Sequence, residues 1–476
     1  MKMNRSALIR FAGFTLALVA LFLSQSLPSV AQTQEPAKQT PEVEQLKQRL
    51  QQLEQTVQEL RGQISSIEEA QKASPTPTVV EAKYTETAAA PPPPKPQTDK
   101  QGESTFEIYG FAMLDAGYQF KQNDPDWFDV VRPTKLPSFP NEFAPNGNTY
   151  FGVRQSRLGV KSSTPTKYGE LKTQFEFELF GTGAQAGQTI FRLRHAWGEV
   201  GQFGAGQQNT VFMDGDVFPN TIEYWGPNGM VLFRNVQFRW MPLRGRNDVS
   251  IALERPGASA DQGRFVDRIE LQGVRGHFNL PDLTGHVRFN RDWGHFQAAG
   301  LVRRIAWIDT NDDAFDLGGS AVGAGLNLTS ALKFGEHDTG KFAFVFGQGI
   351  QNYMNDADTD IGIKLNPGGD PRRPIVGKAL RMWSFIAYLD HYWSKRWSTS
   401  VGYSLMDVDN SNGQAADAFH RGHYASGNLL YYPAENAMVG GEFIWGRREN
   451  FFDGFHSDDF RLQVSFKYNF SKQLKF

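Results

Sequence analysis

Residues 460–476 read FRLQVSFKYNFSKQLKF. Phe460, Leu462, Val464, Phe466, Tyr468 and Phe470 alternate with Arg461, Gln463, Ser465, Lys467 and Asn469. A strand sends successive side chains to opposite faces, so the apolar groups share one face. A last strand with one apolar face, one polar face and a terminal aromatic suits the closing strand of a membrane β-barrel, with lipid outside and water inside. An ordinary sandwich strand alternates in the same way, so the rest of the chain has to decide.

The period of two recurs from Phe106 onward. In FEIYGFAMLDAGYQF, Phe106, Ile108, Leu114, Tyr118 and Phe120 oppose Glu107, Asp115 and Gln119. In ELKTQFEFELF, Leu171, Phe175, Phe177 and Leu179 oppose Lys172, Gln174, Glu176 and Glu178. NVQFRW, DVSIALE and HVRFN repeat the pattern. The polar faces carry full charges, which a buried sandwich core would not tolerate unpaired and a watery lumen would. Short connectors such as Pro165–Gly169 suit periplasmic turns. Long ones at Asn123–Thr149, Met354–Pro374 and Asp407–Arg421 suit external loops. A strand pair with its turn and loop takes roughly 45 residues, which predicts about sixteen strands over residues 106–476, with fourteen and eighteen open. The expected class is all-β, an antiparallel transmembrane barrel wide enough for an aqueous channel.

The N-terminal hundred residues read differently. Lys2, Arg5 and Arg10 precede the apolar run Phe11–Leu23, and Ser29-Val30-Ala31 offers small residues for cleavage. Residues 1–31 are therefore read as a signal peptide, which implies export. Val43, Leu50, Val57 and Ile64 then alternate with Leu46, Leu53, Leu60 and Ile67 at heptad spacing. That predicts a coiled coil over residues 42–72, a device for self-association that does not itself choose dimer or trimer. Residues 73–105 form a linker, where Pro75, Pro77 and Pro91–Pro94 forbid helix.

Composition bounds the function. The formal net charge is −2, so nothing suggests attraction to nucleic acid. No cysteine is present, which excludes disulfides and thiolate metal sites. The nine histidines are scattered, and His195 shares parity with Phe191, Leu193 and Trp197, which would turn it toward lipid. No residue is assigned a catalytic or metal-binding role, and no cofactor is expected.

The blocks QSRLGVKSSTPTKYGELKTQFEFELFG (Gln155–Gly181) and RLRHAWGEVGQFGAGQQNT (Arg192–Thr210) resemble the early strands of trimeric general porins. The signal peptide, coiled coil, proline-rich linker and FEIYGFAMLDAGYQF opening together resemble the DcaP-like porin family more closely. The resemblance implies a sixteen-stranded barrel in a homotrimer in the outer membrane, with coiled coils joined in the periplasm. It also implies passive uptake of small anions, dicarboxylates being the family's usual assignment. Outer-membrane lipid and lipopolysaccharide are the expected surroundings, and the coiled coil offers a route to the cell wall. A competing reading makes the chain a structural tether to the wall with a largely closed barrel.

General porins fold one loop inward to narrow the pore. Its equivalent here is FMDGDVFPNTIEYWGPNGM (Phe212–Met230), with charges Asp214, Asp216 and Glu223. Arg157, Lys161, Lys172, Arg192 and Arg194 are placed opposite, with Glu176 and Glu178 able to pair with Arg192 and Arg194. Arg239, Arg288 and Arg303 also have inward parity. The predicted barrel holds 25 Arg against 13 Lys, and Arg offers the planar fork that fits carboxylate or phosphate. Phe470 and Phe476 compete as the aromatic that the assembly machinery reads, since Ser471–Phe476 extends past the natural strand end at Phe470.

Overall fold

The computed structural model describes residues 102–258 and 273–476. The expected signal peptide and coiled coil, with core residues Val43, Leu46, Leu50, Leu53, Val57, Leu60, Ile64 and Ile67, lie outside the described residues, as does most of the linker. Among the described residues twenty strands follow in chain order: β1 (Thr105–Gln119), β2 (Asn148–Gly152), β3 (Arg157–Thr166), β4 (Gly169–Phe180), β5 (Thr189–Val200), β6 (Phe203–Asn209) and β7 (Arg234–Leu243). Next come β8 (Asn247–Glu254), β9 (Val274–Gly276), β10 (Asp282–Arg291), β11 (Gly294–Asp309), β12 (Gly319–Phe334), β13 (Asp338–Gln348) and β14 (Ile361–Leu365). The last are β15 (Ile375–Ala379), β16 (Arg381–Ser394), β17 (Trp397–Asp409), β18 (Phe419–Ala434), β19 (Ala437–Asn450) and β20 (His456–Lys475).

Sixteen of these close into one antiparallel barrel. Neighbours pair in sequence, and β20 returns to β1 from Thr105↔Lys475 to Gln119↔Arg461. The short β2 continues the β3 edge along the upper part of β1, and β9 pairs with the upper end of β11. Closure removes every free edge, so the backbone is satisfied without water. An hairpin of β14 and β15 stands apart in the loop after β13.

The barrel is inside-out relative to a soluble protein. On β20, Phe466 is 48% exposed while Arg461 is fully buried. Leu114, Phe175, Phe238, Val302, Phe344 and Val401 are likewise exposed on the outer wall. Tyr168, Trp293, Tyr392 and Trp393 are exposed near the short turns, and Tyr118, Phe151 and Phe191 near the long loops. An apolar band between two aromatic belts is the surface a bilayer requires.

The tail differs from expectation. β20 does not end at Phe470 but runs through Lys475, and Phe476 exchanges both backbone hydrogen bonds with Ser104 (2.9 and 3.1 Å). Ser471–Phe476 therefore belongs to the seam that shuts the barrel, because β1 starts early enough to give it a partner.

The lumen is also less open than sixteen strands alone imply. Segments 120–147, 210–233 and 349–360 turn inward and pack on the wall. Phe212, Val231, Ile350 and Tyr353 from these segments join the inward Leu301, Val345, Met382 and Met406 in one apolar cluster. Arg132 ties the three together. Its guanidinium lies 4.1 Å from the Trp127 ring and 4.2 Å from the Trp225 ring, and its Nε bonds Asp356 at 2.9 Å. Buried pairing of this kind is tolerated only with complete partners. Asp356 completes its set with Thr134.

Candidate functional site

The segment 210–233 crosses the barrel interior and is anchored at both ends of its path. Near its start, Asp214 accepts from Thr329 (2.6 Å) and meets His295 (2.7 Å) and Arg288 (3.2 Å), on β12, β11 and β10. Arg288 also holds Asp216. On the far wall, the backbone N–H groups of Ile222 and Glu223 donate to Glu442 of β19 (3.0 and 3.3 Å). Asn228 reaches Gly422 O of β18 at 3.0 Å, and the Gly229 N–H reaches Ser404 of β17 at 2.8 Å. Side-chain acceptors thus take up backbone donors that an irregular segment would leave unsatisfied.

The acidic groups of this segment have different fates. Burial opposes ionisation of Asp214, yet the hydrogen bonds from His295 and Thr329 and the charge of Arg288 hold its carboxyl below the usual range. Burial pushes the Glu223 carboxyl up to about 8, even though Val131 and Gly226 donate to it. Glu223 is therefore sealed between the segment and the wall rather than displayed to the lumen. Asp216 alone of the three keeps an exposed side chain.

Opposite lies a cluster of arginines on β3, β5 and β7 around two carboxylates of β4. Arg194 Nε is 2.6 Å from Glu176, and its Nη1 is 2.5 Å from Glu178. Arg192 also bonds Glu178. Arg157 and Arg234 approach the same carboxylate at 3.6 Å each. Tyr109 donates to Glu176 at 2.9 Å and Tyr224 to Glu178 at 2.6 Å. Gly159 makes room for this arrangement: a Cβ there would sit 2.4 Å from the Tyr109 ring. The pairing expected across β4 and β5 is present, but Arg234, which the alternation of NVQFRW turns outward, was not anticipated. It stands at the first position of β7, where the chain arrives from the inward segment and carries the side chain in with it.

Between this cluster and residues 218–232 lies a cavity of about 360 Å³ lined by Gln155, Arg157, Arg194, Asn220, Arg234, Lys467 and Asn469, among others. A second cavity, about 480 Å³, is lined by Glu107, Lys161, Lys172, Glu199, Arg239 and His286. Arg239 bonds Gln237 and Asn209 O there, and Lys172 pairs with Glu170 at 3.1 Å.

Three expectations are corrected. His195 does not face lipid. A β-bulge opposite Glu176 and Phe177 places Arg194 and His195 both inward and reverses the parity of the following residues. Trp197 then also turns inward, lying over Gly204, where a Cβ would come within 2.1 Å of the ring. Arg303 has the inward parity expected but does not reach open space, because it is sealed against Asp282 (3.1 Å) and Asp360 (3.5 Å). Arg461, expected to face water, is covered by the segment 120–147 and bonds Gln119 and the carbonyls of Phe128 and Val130.

The comparisons agree with the barrel. The sequence matches the family model described as DcaP outer membrane protein over residues 48–470. The outer membrane channel DcaP of Acinetobacter baumannii is 18% identical, with a TM-score of 0.65 over 77% of this chain and 97% of that one. OmpT of Vibrio cholerae with loop L8 deleted is 13% identical at a TM-score of 0.47, covering 77% and 99%. An anion-selective porin from Comamonas acidovorans is 11% identical at 0.48, covering 77% and 100%. No curated protein matches the sequence. With the family model spanning most of its length and its sixteen barrel strands closed, the chain belongs to the DcaP outer-membrane protein family.

Proposed function

We propose that this channel passes small hydrophilic solutes by passive diffusion and prefers small anions, dicarboxylates among them. One observation carries the reading: the arginine cluster is positive where it meets open space. Four arginines surround two carboxylates, an excess of two positive charges. Glu178 is fully covered, whereas the side chains of Arg157 and Arg192 remain 29% and 24% exposed. An anion in the cavity meets the planar donors of Arg157, Arg194 and Arg234 with Lys467 beside them, while Glu176 and Glu178 lie beneath and Glu435 is the exposed acid on the lining. The segment across the cavity adds little opposing charge, because Asp214 is paired and Glu223 is sealed. Arg and Lys lining a pore are the general device for anion selectivity.

In this reading Arg157, Arg192, Arg194 and Arg234 form the narrow passage. Lys161, Lys172 and Arg239 attract solute on the side of the short turns. Arg288 and the buried Arg303 brace the inward segments instead. The chain works as a homotrimer, with residues 42–72 joined in the periplasm. The heptads support this, since linked barrels hold their coiled-coil segments at high mutual concentration. Reversal potentials across planar bilayers in a salt gradient test the selectivity, and clear cation preference would sink it. Block of the current by added dicarboxylates tests the solute class. A silent bilayer would favour the tether instead.

A further inference from the structure

The outer wall over β8 to β16 carries two arginines that form no ion pair among the described residues. Arg304 and Arg381 are exposed, lie near the long-loop end, and form no ion pair or side-chain hydrogen bond among the described residues, with Asp409 of β17 standing directly across from Arg381. Register fixes their setting. Leu283, Val302, Ala324, Gln348 and Arg381 stand in one outward row across β10, β11, β12, β13 and β16. Arg304 stands two residues higher on β11, roughly 16 Å from Arg381 when three strand spacings and the two-residue rise are combined.

Below that row the wall has a dip. Gly285 of β10 faces Gly300 of β11, between Ile251 and Leu326. Neither glycine has a positive φ. A Cβ built at Gly300 meets nothing within 4 Å, and one at Gly285 meets only ordinary contacts. Packing among the described residues therefore does not demand these glycines. The dip belongs to an apolar groove open to the outside, which reaches from Ile251 to Arg381.

The opposite flank is different. On β17 to β20, at the same end of the barrel, outward Arg421 pairs with Asp407 at 2.6 Å and Arg447 with Glu449 at 3.0 Å. There the chain supplies its own counter-charges. Over the groove Arg304 faces no carboxylate among the described residues, and Arg381 shares its cross-strand neighbour Asp409 with Lys378 (3.8 Å), which leaves positive charge over; a guanidinium at the edge of hydrocarbon requires an anion.

We propose that the groove seats a phosphate-bearing lipid of the outer leaflet, its acyl chain lying in the Gly285–Gly300 dip and its phosphate held by Arg304 and Arg381. The long loops mark this end as the external one. Guanidinium and phosphate match as a bidentate pair, and an apolar groove running away from them fits the attached chain. The site lies on the outer wall and does not depend on what the lumen conducts.

Native mass spectrometry of the full chain in detergent, titrated with bisphosphorylated lipid A, tests this. The wild type is expected to retain the probe at least tenfold more strongly than it retains a dephosphorylated form. The R304Q/R381Q variant is expected to lose that difference. Gly300→Leu fills the dip without touching either arginine and is expected to weaken retention of both forms, which decides the matter if the arginine variant does not fold. Equal retention of both probes by the wild type, or by wild type and variants, overturns the proposal. So does a changed subunit number in R304Q/R381Q, which would mark the flank as a contact between copies.

Discussion

Arg194 Nη1 stands 2.5 Å from Glu178 Oε2, and the carboxylate is covered while the arginines around it keep an open edge. That asymmetry is built by local rules. Alternation on β4 sends Glu176 and Glu178 inward, and the bulge on β5 brings Arg194 in against both. Removing the acid from beneath four guanidinium groups leaves them to repel one another. Breaking a buried pair costs about 3–5 kcal/mol, so Glu178→Gln is expected to lower the heat stability of the folded barrel. In the molecules that fold, bilayer reversal potentials should shift further toward anions. The double change R157Q/R234Q should fold and shift them the other way.

Asp214 holds the start of the inward segment to three strands through Arg288, His295 and Thr329. Asp214→Asn keeps the shape but loses the charge that two basic partners meet. The segment should sit less firmly, and single-channel recordings should show larger and noisier conductance than the wild type.

Glu223 gives the seat a pH dependence. Its carboxyl is raised to about 8 by burial, against an ordinary value of 4.5 when released. The seated form therefore binds the proton more tightly than the released form. Its contribution is complete below about 4.5, declines as pH rises, and is lost once pH passes through about 8. Current fluctuations should grow between neutral pH and pH about 9, and Glu223→Gln should remove that growth. Fluctuations independent of pH in the wild type would contradict it.

The last six residues pair with the start of β1, so they form part of the closing seam. Deleting Ser471–Phe476 leaves the first residues of β1 without their partner. Heat-modified mobility on gels should show a lower unfolding temperature. Phe476→Ala tests the other role of this tail: a larger loss of assembled oligomer than with Phe470→Ala is expected if Phe476 is the aromatic that is read.

The outer wall was legible because its rule is local. Leu462 to Phe470 and Arg461 to Lys467 announce the two faces of β20 by alternation alone. Inward and outward were also legible for Glu176, Glu178, Arg192, Arg288 and Arg303. What local pattern does not carry is a break in the alternation or a distant cover. His195 and Trp197 were misplaced because one extra residue in a bulge reverses every later side chain. Arg234 was missed because it begins a strand, where the pleat is not yet established. Arg303 and Arg461 point inward as read, yet segments remote in sequence seal them from the lumen. Whether an inward charge touches solute is decided by those segments.

The central claim is that open guanidinium groups over a covered carboxylate make the passage favour anions. The zero-current potential of the purified full chain, measured across a planar bilayer in a steep potassium chloride gradient, tests it most directly. A potential of the sign set by chloride, reduced in R157Q/R234Q, is expected. A potential of the sign set by potassium, or a wild-type value unchanged in R157Q/R234Q, would contradict it.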